Sequence, residues 1–133
     1  DGAQNRPAAN NPWLNPIPKH DFNVGNDFNH ESPATKYFVK RVISWWMQTY
    51  GIDGFRFDLA SGFTQRNSLG NFNEWARYDT SRINNIQEYA DLMWSIDPES
   101  YVILENFVDN SERKELFRLM FRDIREEGAT QNW

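Results

Sequence analysis

Two carboxylates close two short apolar runs in this chain: Asp58 in GFRFDLA, residues 54–60, and Glu105 in YVILENF, residues 101–107. Read as strands, both runs alternate. Phe55, Phe57 and Leu59 fall on one face, and Arg56 and Asp58 on the other. Burying a charge is costly unless it is paired, and Arg56, on the same face as Asp58, is a ready partner. A guanidinium there lowers the carboxyl's pKa and keeps it ionised, as a nucleophile requires. Glu105 shares a face with Tyr101 and Ile103 at the end of its own run. A partly apolar setting of that kind raises a carboxyl's pKa, as a general acid requires. Taken singly, each residue has a plainer reading: a structural Arg–Asp ion pair, and a strand-end Glu that reaches solvent or caps the next helix. Taken together, two carboxylates ending successive strands can meet. A pair held ~5–5.5 Å apart is the apparatus of retaining glycoside cleavage, and a wider pair serves inversion.

The elements that must position them are legible in outline. Ser32-Pro33 reads as a helix N-cap followed by proline at the first helical position. Phe38, Val42, Trp45, Trp46 and Thr49 follow at helical spacing, which makes Trp45 and Trp46 expected core residues, and Gly51 supplies a stop. A strand is expected from about Gly54 to Leu59, then a loop rich in Gly, Ser and Asn. A second helix is expected over about 80–96, with Ile83, Ile86, Ala90 and Met93 as its stripe and Asp97-Pro98 as its end. After the strand at 101–107, Asp109, Asn110 and Ser111 are capping candidates. A third helix carries Leu116, Met120 and Ile124 on one side, with Gly128 beyond. Glu112, Arg113, Lys114 and Glu115 read as an exposed helix face. Alternating helices and strands imply parallel strands with right-handed crossovers. Two strands alone do not make a stable parallel sheet, and a (β/α)₈ barrel takes at least ~200 residues. The expected class is therefore α/β, a fragment of a (β/α)₈ TIM barrel. Residues 1–31, with prolines at 7, 12, 16 and 18, form an irregular loop region, and residues 32–133 a partial barrel of about two βα units and a preceding helix. An opening Asp1 in place of Met reads as a boundary inside a longer protein.

Composition narrows the partners. Aromatics make up 16% of the 133 residues, too many for a disordered chain. A net charge of −5, with scattered Lys and Arg, disfavours nucleic acid. No apolar run approaches the ~18 residues of a membrane span. Cysteine is absent, which excludes disulfides and thiolate metal sites. Asp21, Asn23, Asn26, Asp27 and Asn29 offer oxygen ligands for calcium, but their spacing matches no EF-hand loop, and a solvated, turn-forming stretch is the simpler reading. Phe63, Trp75 and Phe107, near the strand ends, are candidates to stack on a sugar ring. His30 reads as a loop hydrogen-bonder.

The run DGFRFDLA, then GFTQ, then YVILENF resembles the α-amylase family, glycoside hydrolase family 13, and is most similar to its bacterial starch-degrading members. The upstream segments NPWLNP and DFNHESP resemble the stretch before that family's third barrel helix, so the resemblance covers about residues 11–112. It implies that Asp58 is the nucleophile, Glu105 the general acid/base, and Arg56 the arginine that holds the nucleophile. It also implies double displacement at α-1,4-glucosidic bonds of starch or maltodextrin, an α-glucan partner, no cofactor in the chemistry, and an extracytoplasmic location. Where the family commonly has Lys and His after the nucleophile, this chain has Ser61 and Gly62. The family's earlier Asp and His strand and its later His-Asp, the source of a third carboxylate, are missing; His20-Asp21 lies in the proline-rich loop, outside that motif. The isolated chain is thus expected to be inactive and, with open strand edges, to self-associate. A glucan-binding remnant without turnover is the rival reading.

Overall fold

The computed structural model describes residues 6–22 and 25–120. Helix α1 (Pro33–Tyr50) is followed by strand β1 (Gly54–Phe57), a 3₁₀ turn (Ala60–Gly62), a short helix α2 (Phe72–Ala76), helix α3 (Thr80–Ile96), strand β2 (Tyr101–Leu104) and helix α4 (Asn110–Met120). The two strands pair in parallel, with Arg56 opposite Ile103 and Phe57 opposite Leu104. The described residues thus form an α/β fragment around a two-stranded parallel sheet, and no closed barrel is present among them. The expected positions of Ile124 and Gly128 lie outside the described residues. Between residues 6 and 32 the described chain has no helix or strand, only an isolated bridge between Leu14 and Phe28.

One face of the sheet is covered. Ile43 and Met47 of α1 meet Tyr89 and Met93 of α3 over Phe55, Phe57 and Val102. Ala60, Ile83, Ile86 and Leu116 form a second cluster against Phe57 and Leu104. The α3 stripe read from sequence is buried along its whole length. On α1 the expected stripe needs correction. Thr35, Ile43 and Met47 are buried, whereas Trp45 and Trp46 are 59% and 47% exposed. The core runs along 35, 39, 43 and 47 at i, i+4 spacing, a register that leaves the larger rings outside. Aromatic bulk suggested a core face, but the side of the helix that meets α3 is set by tertiary packing.

Local chemistry fixes the joints. Asp79 caps α3, its Oδ1 accepting from the N–H of Ser81 at 2.9 Å. Asn71 caps α2, a helix not expected from the sequence. Gly51 ends α1 in the left-handed region at φ 61°, donating its N–H to Met47 O. Gly54 has φ 156°, and a Cβ there would lie 2.1 Å from the Tyr101 carbonyl oxygen, so only glycine lets the two strands meet.

Arg82 and Glu112, both 0% exposed, tie the helices together. Arg82 Nε and Nη2 each donate to Glu112 at 2.6 Å. Its remaining N–H groups reach the carbonyls of Ser61 (3.0 Å), Trp75 (3.2 Å) and Arg77 (2.8 Å). Glu112 also accepts the Asp79 N–H at 2.9 Å. The reading of Glu112 as part of an exposed face is therefore corrected: Arg113 and Lys114 are exposed, Glu115 is half-buried, and Glu112 points inward beside Leu116. The proline-rich loop docks through His30, whose Nδ1 lies 3.0 Å from the Tyr89 hydroxyl and whose ring stacks on Phe63 at 3.8 Å. Glu88 of α3 pairs with Lys36 and Lys40 of α1.

Two stability predictions follow from these contacts. Glu112→Gln, which leaves the Arg82 charge buried without a counter-ion, is expected to destabilise by about 3–5 kcal/mol in urea unfolding. Burial lowers the His30 pKa to about 4, outweighing the attraction of Asp27. The unfolded chain therefore binds a proton below pH ~6.5 that the folded chain refuses until about pH 4. Stability present above pH ~6.5 is lost as pH falls through that window, by about 2 kcal/mol between pH 7 and pH 5. His30→Asn should flatten that slope in urea unfolding measured at the two pH values.

Candidate functional site

Asp58 and Glu105 stand at the ends of neighbouring parallel strands, on the sheet face away from the helices. The register that sets Arg56 opposite Ile103 brings Glu105 beside it. Arg56 Nη1 lies 2.6 Å from Asp58 Oδ1, and Arg56 Nη2 lies 3.1 Å from Glu105 Oε1. One guanidinium thus bridges both carboxylates. Asp58 is 77% exposed, Arg56 53% and Glu105 30%. The hydrogen bond from Arg56, followed by a side-chain hydrogen bond with Glu105, holds the Asp58 carboxyl below its ordinary pKa. Arg56 and Asp58, placed on one strand face by their alternation, form an ion pair. The expected apolar setting of Glu105 does not match this geometry. Its second oxygen accepts the Leu59 N–H at 3.0 Å, so donors engage both oxygens.

The turn after β1 is strained and specifically held. Leu59 has φ 46°, a left-handed conformation that costs a non-glycine residue about 1 kcal/mol. Glu105 stabilises it twice, through its side chain at Leu59 and through its carbonyl, which accepts the Ala60 N–H at 2.9 Å. This left-handed residue ends the regular strand earlier than the sequence suggested, at Phe57, and turns the chain into the buried residues 60–62. Backbone strain beside candidate reacting groups accords with a functional site.

The three aromatic candidates part company. Phe107 is 52% exposed and free to meet a ligand. Phe63 packs internally between His30, Phe57 and Tyr89. Trp75 is 3% exposed, with His20 and Phe22 against its ring, so it has no open face for a sugar in this arrangement. An open groove of about 380 Å³ on α4, lined by Asn110, Arg113, Lys114 and Phe117, includes none of the candidates.

The oxygen-rich loop is occupied by its own chain. Asp27 Oδ2 accepts from Asn15 Nδ2 at 2.8 Å and from the Lys19 N–H at 3.0 Å, and its Oδ1 lies 3.6 Å from His20 Nε2. Burial would raise its pKa, but hydrogen bonds from His20, Asn15 and Lys19 bring it below the ordinary value. Asp21 accepts the Gly70 N–H, and Asn29 Oδ1 accepts the N–H groups of Glu31 and Ser32. Asn23 lies outside the described residues. Among the described residues, no three or more His, Asp or Glu side chains gather in a way that could hold a metal ion. No helix among them is long and apolar enough to cross a membrane.

Sequence reasoning passed over Arg82 and Asn106, and singled out Ser61 only as a departure from the resembled family. Arg82 had a signal, because it shares an i, i+4 stripe with Ile86 and Ala90, and a charge in an apolar stripe calls for a buried partner. Asn106 carried none.

Short segments of the chain are similar to known enzymes. One is 37% identical over 43 residues to a pullulanase of Bacillus subtilis (strain 168), covering 32% of this chain and 6% of that enzyme. Another is 46% identical over 37 residues to a glycogen debranching enzyme of Enterobacter sp. (strain 638), covering 28% and 6%. A third is 39% identical over 56 residues to isoamylase SU1, chloroplastic, of Zea mays, covering 39% and 7%. The matched segments thus span under a tenth of the length of these relatives. No family model matches the chain. The similarities support a glycoside hydrolase origin for the stretch they cover. They include plant as well as bacterial enzymes, so they do not narrow it to bacterial members.

Arg56→Gln is expected to raise the Asp58 titration midpoint toward its ordinary value, read by carbon-13 NMR of the carboxyl. Because the group is open to solvent, unfolding stability should change little.

Proposed function

We propose that this chain is the middle of a (β/α)₈ catalytic barrel in a retaining α-glucan hydrolase of the α-amylase type. Residues 1–31 are its irregular loop region and residues 32–133 its barrel portion. The observation that carries this reading is the single Arg56 guanidinium bridging Asp58 and Glu105 across two parallel strand ends. Retention, the stereochemistry proposed, uses two such carboxyls ~5–5.5 Å apart, and inversion a wider pair. Parallel strands are ordinarily covered on both faces, and here the face bearing Tyr101, Ile103, Arg56 and Asp58 lies open. Further strands of the barrel would close it.

In the proposed mechanism Asp58, kept ionised by Arg56, attacks the anomeric carbon of an α-1,4-linked glucose unit. Glu105 protonates the departing glycosidic oxygen. It then takes a proton from water as that water hydrolyses the glycosyl-enzyme ester. For the first step Glu105 must carry a proton, so a substrate entering beside Arg56 would have to draw the guanidinium away from Oε1. Phe107, exposed two residues beyond Glu105, would stack on a sugar ring. The chemistry needs no cofactor, since carboxyls fill both roles, and polymeric starch or maltodextrin would be met outside the cytoplasm. The isolated chain, lacking a third carboxylate and leaving its strand edges open, would be inactive and prone to self-association.

Purified as 133 residues, the chain is expected to release no reducing sugar from starch. A protein extended on both sides by its source gene should do so, and Asp58→Asn should lower kcat on the order of 10⁴-fold or more. Maltoheptaose binding unaffected by Asp58→Asn, with no turnover in any longer form, would overturn this reading in favour of a glucan-binding remnant.

A further inference from the structure

A second connection joins the two strand ends on their buried side. Ser61, 0% exposed in the 3₁₀ turn, donates its hydroxyl to Asn106 Oδ1 at 3.0 Å and accepts the Phe107 N–H at 2.7 Å. Ser61 lies three residues beyond Asp58, and Asn106 directly follows Glu105. The Ser61 carbonyl in turn accepts from Arg82 Nη1, so this junction is fastened to the buried Arg82–Glu112 pair. Arg56 links the same two segments from the open side, but it is half-exposed, and ion pairs in water are weak and adjustable. A buried hydroxyl that both donates and accepts has a single orientation, and it holds its partners at fixed length. The Leu59 and Ala60 N–H bonds to Glu105 cross the same gap. They fix the Glu105 carboxyl oxygen Oε2 and the Glu105 carbonyl, whereas the Ser61 contacts fix the two residues that follow.

Resting on the reading of Asp58 and Glu105 as a working pair, we propose that Ser61 and Asn106 are positioning residues that set the separation of the two carboxyls. Neither would touch the substrate. Their role is to stop the β2 end loop from drifting away from the turn after β1, because displacements near 1 Å at a reacting pair are enough to lower rates markedly. The position where the resembled family commonly carries lysine would then serve, in this chain, as an internal strut.

The test uses the 133-residue chain and needs no activity. The coupling of the pair is read as the shift in the Asp58 midpoint produced by Glu105→Gln, followed by carbon-13 NMR of the carboxyls. That shift should fall to less than half when Ser61→Ala or Asn106→Ala is also present, with the amide spectrum still that of a folded protein. An undiminished shift in both backgrounds would overturn the positioning role while leaving the paired-carboxylate reading intact. No shift in the parent chain would overturn that reading and, with it, this one. Should Ser61→Ala fail to fold, Asn106→Ala, at a half-buried residue, decides the matter alone.

Discussion

A guanidinium sunk completely into the protein must place five N–H donors, and Arg82 places all five: two on Glu112 and one each on the carbonyls of Ser61, Trp75 and Arg77. Those three carbonyls lie within one residue of the ends of short elements, where backbone acceptors have no regular partner. One side chain on α3 therefore shapes the turn after β1, the end of α2 and the docking of α4. Such a pair is a weak source of net stability, because desolvation offsets much of its attraction. Its value lies in geometry. An apolar replacement could fill the space but could not define where residues 61, 75 and 77 sit.

The candidate site inherits that geometry. Ser61, held at its carbonyl by Arg82, presents its hydroxyl to the residues after Glu105. Glu105 in turn supports the left-handed Leu59, the residue that directly follows Asp58. Order thus runs outward from a dry, rigid interior to a wet, charged surface, where Arg56 bridges two carboxylates under solvent screening. A half-exposed ion pair of this kind adds little to folding. Its conformation is instead imposed by the strands and turns beneath it, which leaves the charges free to respond to a ligand.

Much of this could be read before the fold was known. Strand alternation separated Phe55 and Phe57 from Arg56 and Asp58, and the sheet puts them on opposite faces. The α3 stripe and its end at Asp97 were explicit, since four apolar residues at helical spacing leave one buried face available. Errors arose where local pattern underdetermines the environment. Trp45 and Trp46 belong to a helix that is aromatic around much of its circumference, so bulk pointed to the wrong side. Glu112 sat in a run of charges that looked solvated, and its partner lies 30 residues away on another helix. Glu105 ended an apolar run, yet its surroundings are Arg56 and the Leu59 N–H, which come from the neighbouring strand and turn.

The sequence by itself determined which residues alternate, which helix faces are apolar, and that two carboxylates end successive strands. Those properties depend on neighbours a few positions apart, whose periodicity the backbone enforces. The tertiary structure alone decided which α1 register is buried, that Arg82 and Glu112 find each other, and that Arg56 lies within reach of both Asp58 and Glu105. Those outcomes depend on strand register and on the path of the chain between elements. A parallel pairing shifted by one residue would preserve each local pattern while turning Glu105 to the opposite face.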